Sequence, residues 1–203
     1  MQLGGATRGR TLGTGCDGER CESWSQAVQG ELRVDVRPVD AVGLWGAAGL
    51  TRHELSGTGH AGLGMGWAVG GHAVLPLDGP RPALSLRYRR YDTRSGSKDD
   101  PRTESSAWAL DGSANLVLGH MDQGVVFWAG PTWTVREAAS VQVHEDDVQV
   151  DLDAKLPVGA TLGAEFVSDP LGTPWKRTPR VSFGAEVQGI DAWGLSGWMA
   201  LSY

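Results

Sequence analysis

His53 and His60 bracket Glu54-Leu55-Ser56-Gly57-Thr58-Gly59, and imidazoles beside a carboxylate and hydroxyls are the residue types of a nucleophile and its base. An enzyme that hydrolyses lipid or modifies protein could build its site there, although a solvated loop of the same composition needs no chemistry at all. A zinc-peptidase reading fails, because Glu54 follows His53 without the second histidine one helical turn on. His144-Glu145-Asp146-Asp147 offers oxygen ligands to a weakly held divalent cation, or forms a hydrated turn. Cys16 and Cys21 lie in the polar stretch Thr14-Gly15-Cys16-Asp17-Gly18-Glu19-Arg20-Cys21. Zinc would need two further ligands and a redox dithiol is usually more closely spaced, so in an oxidising compartment the pair is expected to form a small disulfide clasp across a loop. The glycine-rich stretches lack the Lys and Ser/Thr of a phosphate loop. No catalytic residue, metal site or cofactor is predicted.

The elements that would carry these residues are legible from alternation. Every second residue from Val148 to Phe166 is apolar, with Asp151, Asp153, Lys155 and Glu165 among the residues between. Such a strand has one face in an apolar medium and one in a polar medium, and it is longer than the roughly nine to eleven residues a tilted strand needs to cross a bilayer. With 203 residues, 30 glycines, a mean hydropathy of -0.23 and no apolar run near the length of a spanning helix, the chain hides its hydrophobicity as barrels do. The net charge of -6, with both signs mixed, excludes the basic stripe of a nucleic-acid binder. Met1-Gln2-Leu3-Gly4-Gly5 lacks the features of a secretory signal, and the chain is read as a mature form whose export signal is gone.

Strands are predicted at about 2–13, 24–37, 42–54, 60–76, 83–93, 106–120, 125–143, 148–167, 181–189 and 193–203. This is an all-β, antiparallel, up-and-down transmembrane β-barrel in one domain spanning 1–203, with ten strands if the last segment folds as a hairpin at Asp191 and eight if neighbours merge. Tight turns are expected at Pro38-Val39-Asp40-Ala41, Leu77-Asp78-Gly79-Pro80 and Met121-Asp122-Gln123-Gly124, with an unusually long connection from Ser168 to Arg180. Outward parity takes Trp67, Trp108, Phe127, Trp133, Phe166, Phe183, Trp193 and Tyr203 to lipid, whereas Trp45, Trp128 and Trp198 turn inward, as do Gly62, Gly64, Gly66 and Gly70, whose room large side chains should fill. Inward parity also collects Glu31, Arg33, Asp35, Arg37, Arg87, Arg89, Asp111, Arg136, Asp151, Asp153, Lys155, Glu165 and Glu186, six basic and seven acidic. Charges so nearly balanced suggest a lumen cross-linked by ion pairs; a narrow conduit lined by the same residues is the other reading.

The alternating strands, the phrase Arg37-Pro38-Val39-Asp40-Ala41-Val42-Gly43-Leu44 and the ending Trp198-Met199-Ala200-Leu201-Ser202-Tyr203 resemble the small outer-membrane β-barrel proteins of Gram-negative bacteria. In that class a last strand with a terminal aromatic and apolar residues two and four positions earlier is read by the barrel-assembly machinery. Tyr203, Leu201 and Met199 match this pattern, while Trp198 stands where a glycine is common. The resemblance implies residence in the bacterial outer membrane, with its lipid and the assembly machinery as partners. A structural or accessory role follows, with loops or rim free for a protein partner. The alternatives are a small porin-like channel for ions or polar solutes, the hydrolase already considered, and a soluble ligand-binding barrel.

Overall fold

The computed structural model describes residues 2–16, 19–39, 41–55, 60–96, 103–119, 124–143, 148–153, 158–168, 180–189 and 192–202. Its strands are β1 (Gln2–Cys16), β2 (Glu19–Val39), β3 (Val42–Leu55), β4 (His60–Val74), β5 (Arg81–Ser95), β6 (Thr103–Leu118), β7 (Val125–Val143), β8 (Val148–Asp153), β9 (Val158–Ser168), β10 (Arg180–Gly189) and β11 (Ala192–Ser202). Apart from β8 and β9, each strand pairs antiparallel with its neighbours in sequence, and β1 also pairs with β11, so the sheet closes on itself. β8 and β9 share one partner, β7, in a single register that runs from Val143↔Val148 to Trp133↔Val158 and on to Val125↔Phe166. They count as one strand of the barrel, residues 154–157 between them lying outside the described ones. The barrel therefore has the ten strands expected, including the hairpin of β10 and β11. Closure matters because it leaves no unpaired edge, the requirement that lipid imposes on any sheet.

Turn chemistry sets the connections. Gly79, Gly119 and Gly124 take φ of 100°, 88° and 85°, the left-handed region that side chains disfavour, and each lies in a turn at the end of the barrel that holds the chain termini. Arg81 Nη2 donates to the carbonyl of Gly119 at 2.6 Å, tying two of these turns together.

Alternate residues separate the wall into two faces. Leu44, Leu50, Leu63, Met65, Leu84, Leu86, Leu116, Phe127, Leu162, Phe166, Phe183 and Leu195 stand exposed on the outside. So contiguous a greasy exterior suits hydrocarbon and would aggregate in water. Trp67, Tyr88 and Trp108 form an outer aromatic row, with centroids 5.3 and 6.1 Å apart. Inside, small residues make room for large ones. The rings of Trp45, Trp128 and Trp198 occupy the space over Gly70, Gly163 and Gly184, and Tyr91 crosses Gly66, so inward glycines and inward tryptophans are two halves of one packing solution.

Two expectations need correction. Cys16 and Cys21 lie in strands rather than a loop, with Cys16 opposite Glu19 and Cys21 opposite Thr14. The side chains of both cysteines lie outside the described residues. Finally, β7 carries a β-bulge, where Asp111 pairs with Thr134 and Leu110 with Arg136, leaving Val135 as an extra residue. The bulge shifts the phase of all that follows, so Arg136 is exposed on the outer wall and not in the lumen.

Candidate functional site

Among the described residues, the lumen is where this fold concentrates polar side chains out of water, and it is built in layers. At the end away from the termini, β3, β4, β5, β6 and β7 converge on His53, Leu55, His60, Tyr91, Thr93, Thr103, Ser105 and Val141. His60 is held on both ring nitrogens, Nδ1 with Thr103 Oγ1 at 2.8 Å and Nε2 with Thr93 Oγ1 at 2.9 Å. His53 Nε2 lies 3.0 Å from Ser25 Oγ, and its Nδ1 lies 3.4 Å from Ser105 Oγ. The two rings are 6.1 Å apart, and Tyr91 lies 6.1 Å from His53. His53 is 1% exposed, His60 2%, and Leu55 and Val141 1% each, so this layer is buried.

The Ser25–His53 contact has the geometry of a nucleophile and its base, yet a ring so deeply buried admits no substrate and its second nitrogen faces a serine rather than an orienting carboxylate. The hydroxyls satisfy the imidazoles, which is what burial of a polar ring requires.

Below this layer sits the strongest electrostatic feature. Arg89 Nη2 lies 2.7 Å from Asp111 Oδ2 and Arg87 Nε 3.7 Å from it, while Thr134 Oγ1 donates to Asp111 Oδ1 at 2.8 Å. Arg89 and Asp111 are almost wholly buried. Farther round the wall, Trp128 Nε1 donates to Glu186 Oε2 at 3.0 Å and its ring stacks on Trp198 at 5.8 Å, while Gln188 Nε2 donates to Thr132 Oγ1 at 3.1 Å. Toward the termini Arg33 grips Asp35 with Nη2 at 2.7 Å and Nε at 3.2 Å, and its guanidinium lies 4.2 Å from the centroid of Trp45. Ser85 and Ser113 hydrogen-bond at 2.6 Å.

Of the thirteen charges assigned to the lumen by parity, Glu31, Arg33, Asp35, Arg87, Arg89, Asp111, Glu165 and Glu186 occupy inner-face positions. Arg136 does not, for the reason given. Arg37, Asp151 and Asp153 lie on strands whose side chains at these positions are outside the described residues, and Lys155 is outside them altogether. Met199 stands on the outer face, the side chain of Leu201 is not described, and Tyr203, Ser56 to Gly59 and His144 to Asp147 lie outside the described residues. Glu137 was missed by parity. The bulge brings it opposite Ala109 on the inner face, and the only signal was an acid in an otherwise apolar odd-numbered series, Phe127, Ala129, Trp133, Val135, Ala139, Val141. The histidine layer was also missed as a lumen feature, although Thr51, His53 and Leu55 share one parity with Trp45.

No protein-family model and no curated protein matches the chain. Among solved structures, the translocator domain of the autotransporter NalP from Neisseria meningitidis is similar with a TM-score of 0.50 and 10% identity, over 98% of this chain and 86% of that one. The transport unit of the autotransporter AIDA-I from Escherichia coli follows with a TM-score of 0.38 and 14% identity, over 100% and 90% of the two chains. The β domain of a Bordetella autotransporter has a TM-score of 0.35 and 15% identity, over 100% and 99%. The NalP likeness concerns the fold alone, and that fold is the one used by outer-membrane β-barrel proteins of Gram-negative bacteria.

Proposed function

We propose, from this outer-membrane barrel fold, that the chain is an integral protein of the bacterial outer membrane that acts as a structural or accessory component and not as a pore, with its loops and rim as the surface offered to a partner. The observation that carries the reading is the buried layer of His53, Leu55, His60, Thr93 and Val141, contributed by four strands and no more than 2% exposed at any member. An ion crossing the bore would have to displace hydrogen-bonded imidazoles and then pass the Arg89–Asp111 pair. Both steps break interactions that have no replacement inside the wall.

Planar bilayers test this. The wild-type barrel is expected to carry no sustained current, whereas Leu55→Ala with His53→Ala, which empties the layer, should give discrete conductance steps. Reproducible steps from the wild type would establish the channel reading in its place.

A further inference from the structure

On the outer wall, arginines come with their own acids. Arg52 pairs with Glu54, Arg90 Nε with Asp92 Oδ2 at 3.0 Å, and Arg94 Nε with Glu104 Oε1 at 2.9 Å. Arg136 is different. It is exposed and has no carboxylate partner among the described residues, and its guanidinium lies over the ring of Trp108, 5.7 Å from the centroid.

Its depth can be read along β6. From Trp108 the outer positions toward the loop end are Ser106 and Glu104, and those toward the termini are Leu110, Gly112, Ala114, Leu116 and Leu118. Trp108 therefore marks the border between the charged collar and the apolar band, and it stacks on Tyr88 at 6.1 Å. Arg136 pairs with Leu110, one outward step on the apolar side of that border. The Val135 bulge is what presents it there.

A guanidinium beside hydrocarbon is costly unless an anion meets it, and its planar fork matches the oxygens of a phosphate better than any other donor among the side chains. The border itself is where headgroup phosphates lie, because amphipathic aromatic rings settle at that level. We propose that Arg136, seated on Trp108 with Tyr88 alongside, binds the phosphate group of an anionic lipid in the leaflet nearer the loop end of the barrel. The site rests on the membrane reading above and names the lipid chemistry that the wall selects. The paired arginines above it have their charge satisfied internally, so they add little to the selection.

The test uses wild type, Arg136→Gln and Arg52→Gln folded into phosphatidylcholine vesicles containing a minor fraction of phosphatidylglycerol, with retained lipid weighed by native mass spectrometry. Wild type and Arg52→Gln are expected to retain phosphatidylglycerol selectively, and Arg136→Gln to retain at least about tenfold less, the loss of one charge-assisted hydrogen-bonded contact. Equal retention by wild type and Arg136→Gln would overturn the site, as would an equal loss in Arg52→Gln or an absence of selectivity in the wild type. Heat-dependent gel migration reports insertion separately. Failure of the wild type to insert into neutral vesicles overturns the membrane reading and this site with it, whereas insertion without retention overturns the site alone. Should Arg136→Gln fail to insert, Trp108→Leu, which removes the seat of the guanidinium, carries the same expectation.

Discussion

Asp111 holds more of the lumen together than any other acid described, accepting from Thr134 and facing both Arg89 and Arg87. Asp111→Asn keeps the shape and removes the charge, leaving Arg89 buried without its counter-ion. Loss of one member of a buried pair costs about 3–5 kcal/mol, so urea unfolding from lipid vesicles should show the unfolding free energy lowered by that amount, read as a fall in midpoint. A shift no larger than that of an exposed pair such as Arg94–Glu104 would mean that water reaches the site. Arg89 and Asp111 were legible in the sequence because both lie on regular strands, where inward parity holds from end to end. Arg136 and Glu137 exchanged faces because one inserted residue carries no mark of its own: Val135 is as ordinary in a bulge as in a ladder.

At the scale of the strand, β7 shows why a bulge can be silent. Val135 is additional to a register that is continuous on either side, with Thr134 opposite Asp111 and Arg136 opposite Leu110. Deleting Val135 would therefore leave every other side chain on its present face, and the variant is expected to keep heat-modifiable gel migration. Deletion of Ala138, three residues on, would instead turn Ala139 and Val141 out of the buried layer or force Glu137 into lipid, and is expected to abolish that migration. Equal behaviour of the two deletions would refute the assigned register. Strand limits themselves were largely visible. Turn residues ended β2 and β4 close to where they were expected, and the β10–β11 hairpin had its tip placed near Asp191.

For the whole molecule the prediction concerns sidedness. Spin labels at Leu162 and Leu195, which are 63% and 52% exposed on the outer wall, should be quenched by lipid-soluble oxygen in vesicles, whereas a label at Glu165 on the inner face should not. The opposite pattern is incompatible with the barrel described. What the sequence determined by itself was the medium and the up-and-down strand pattern, because alternation at a period of two is a local property and each strand must meet lipid and lumen separately. What only the tertiary structure decided was closure, the pairing of β1 with β11, and the contents of the bore. Those depend on residues distant in the chain arriving at one level: His60 beside Thr93 and Thr103, Trp128 beside Glu186 and Trp198, Arg89 beside Asp111. Parity tells a side chain which way to point, but only the register between strands determines what it meets there.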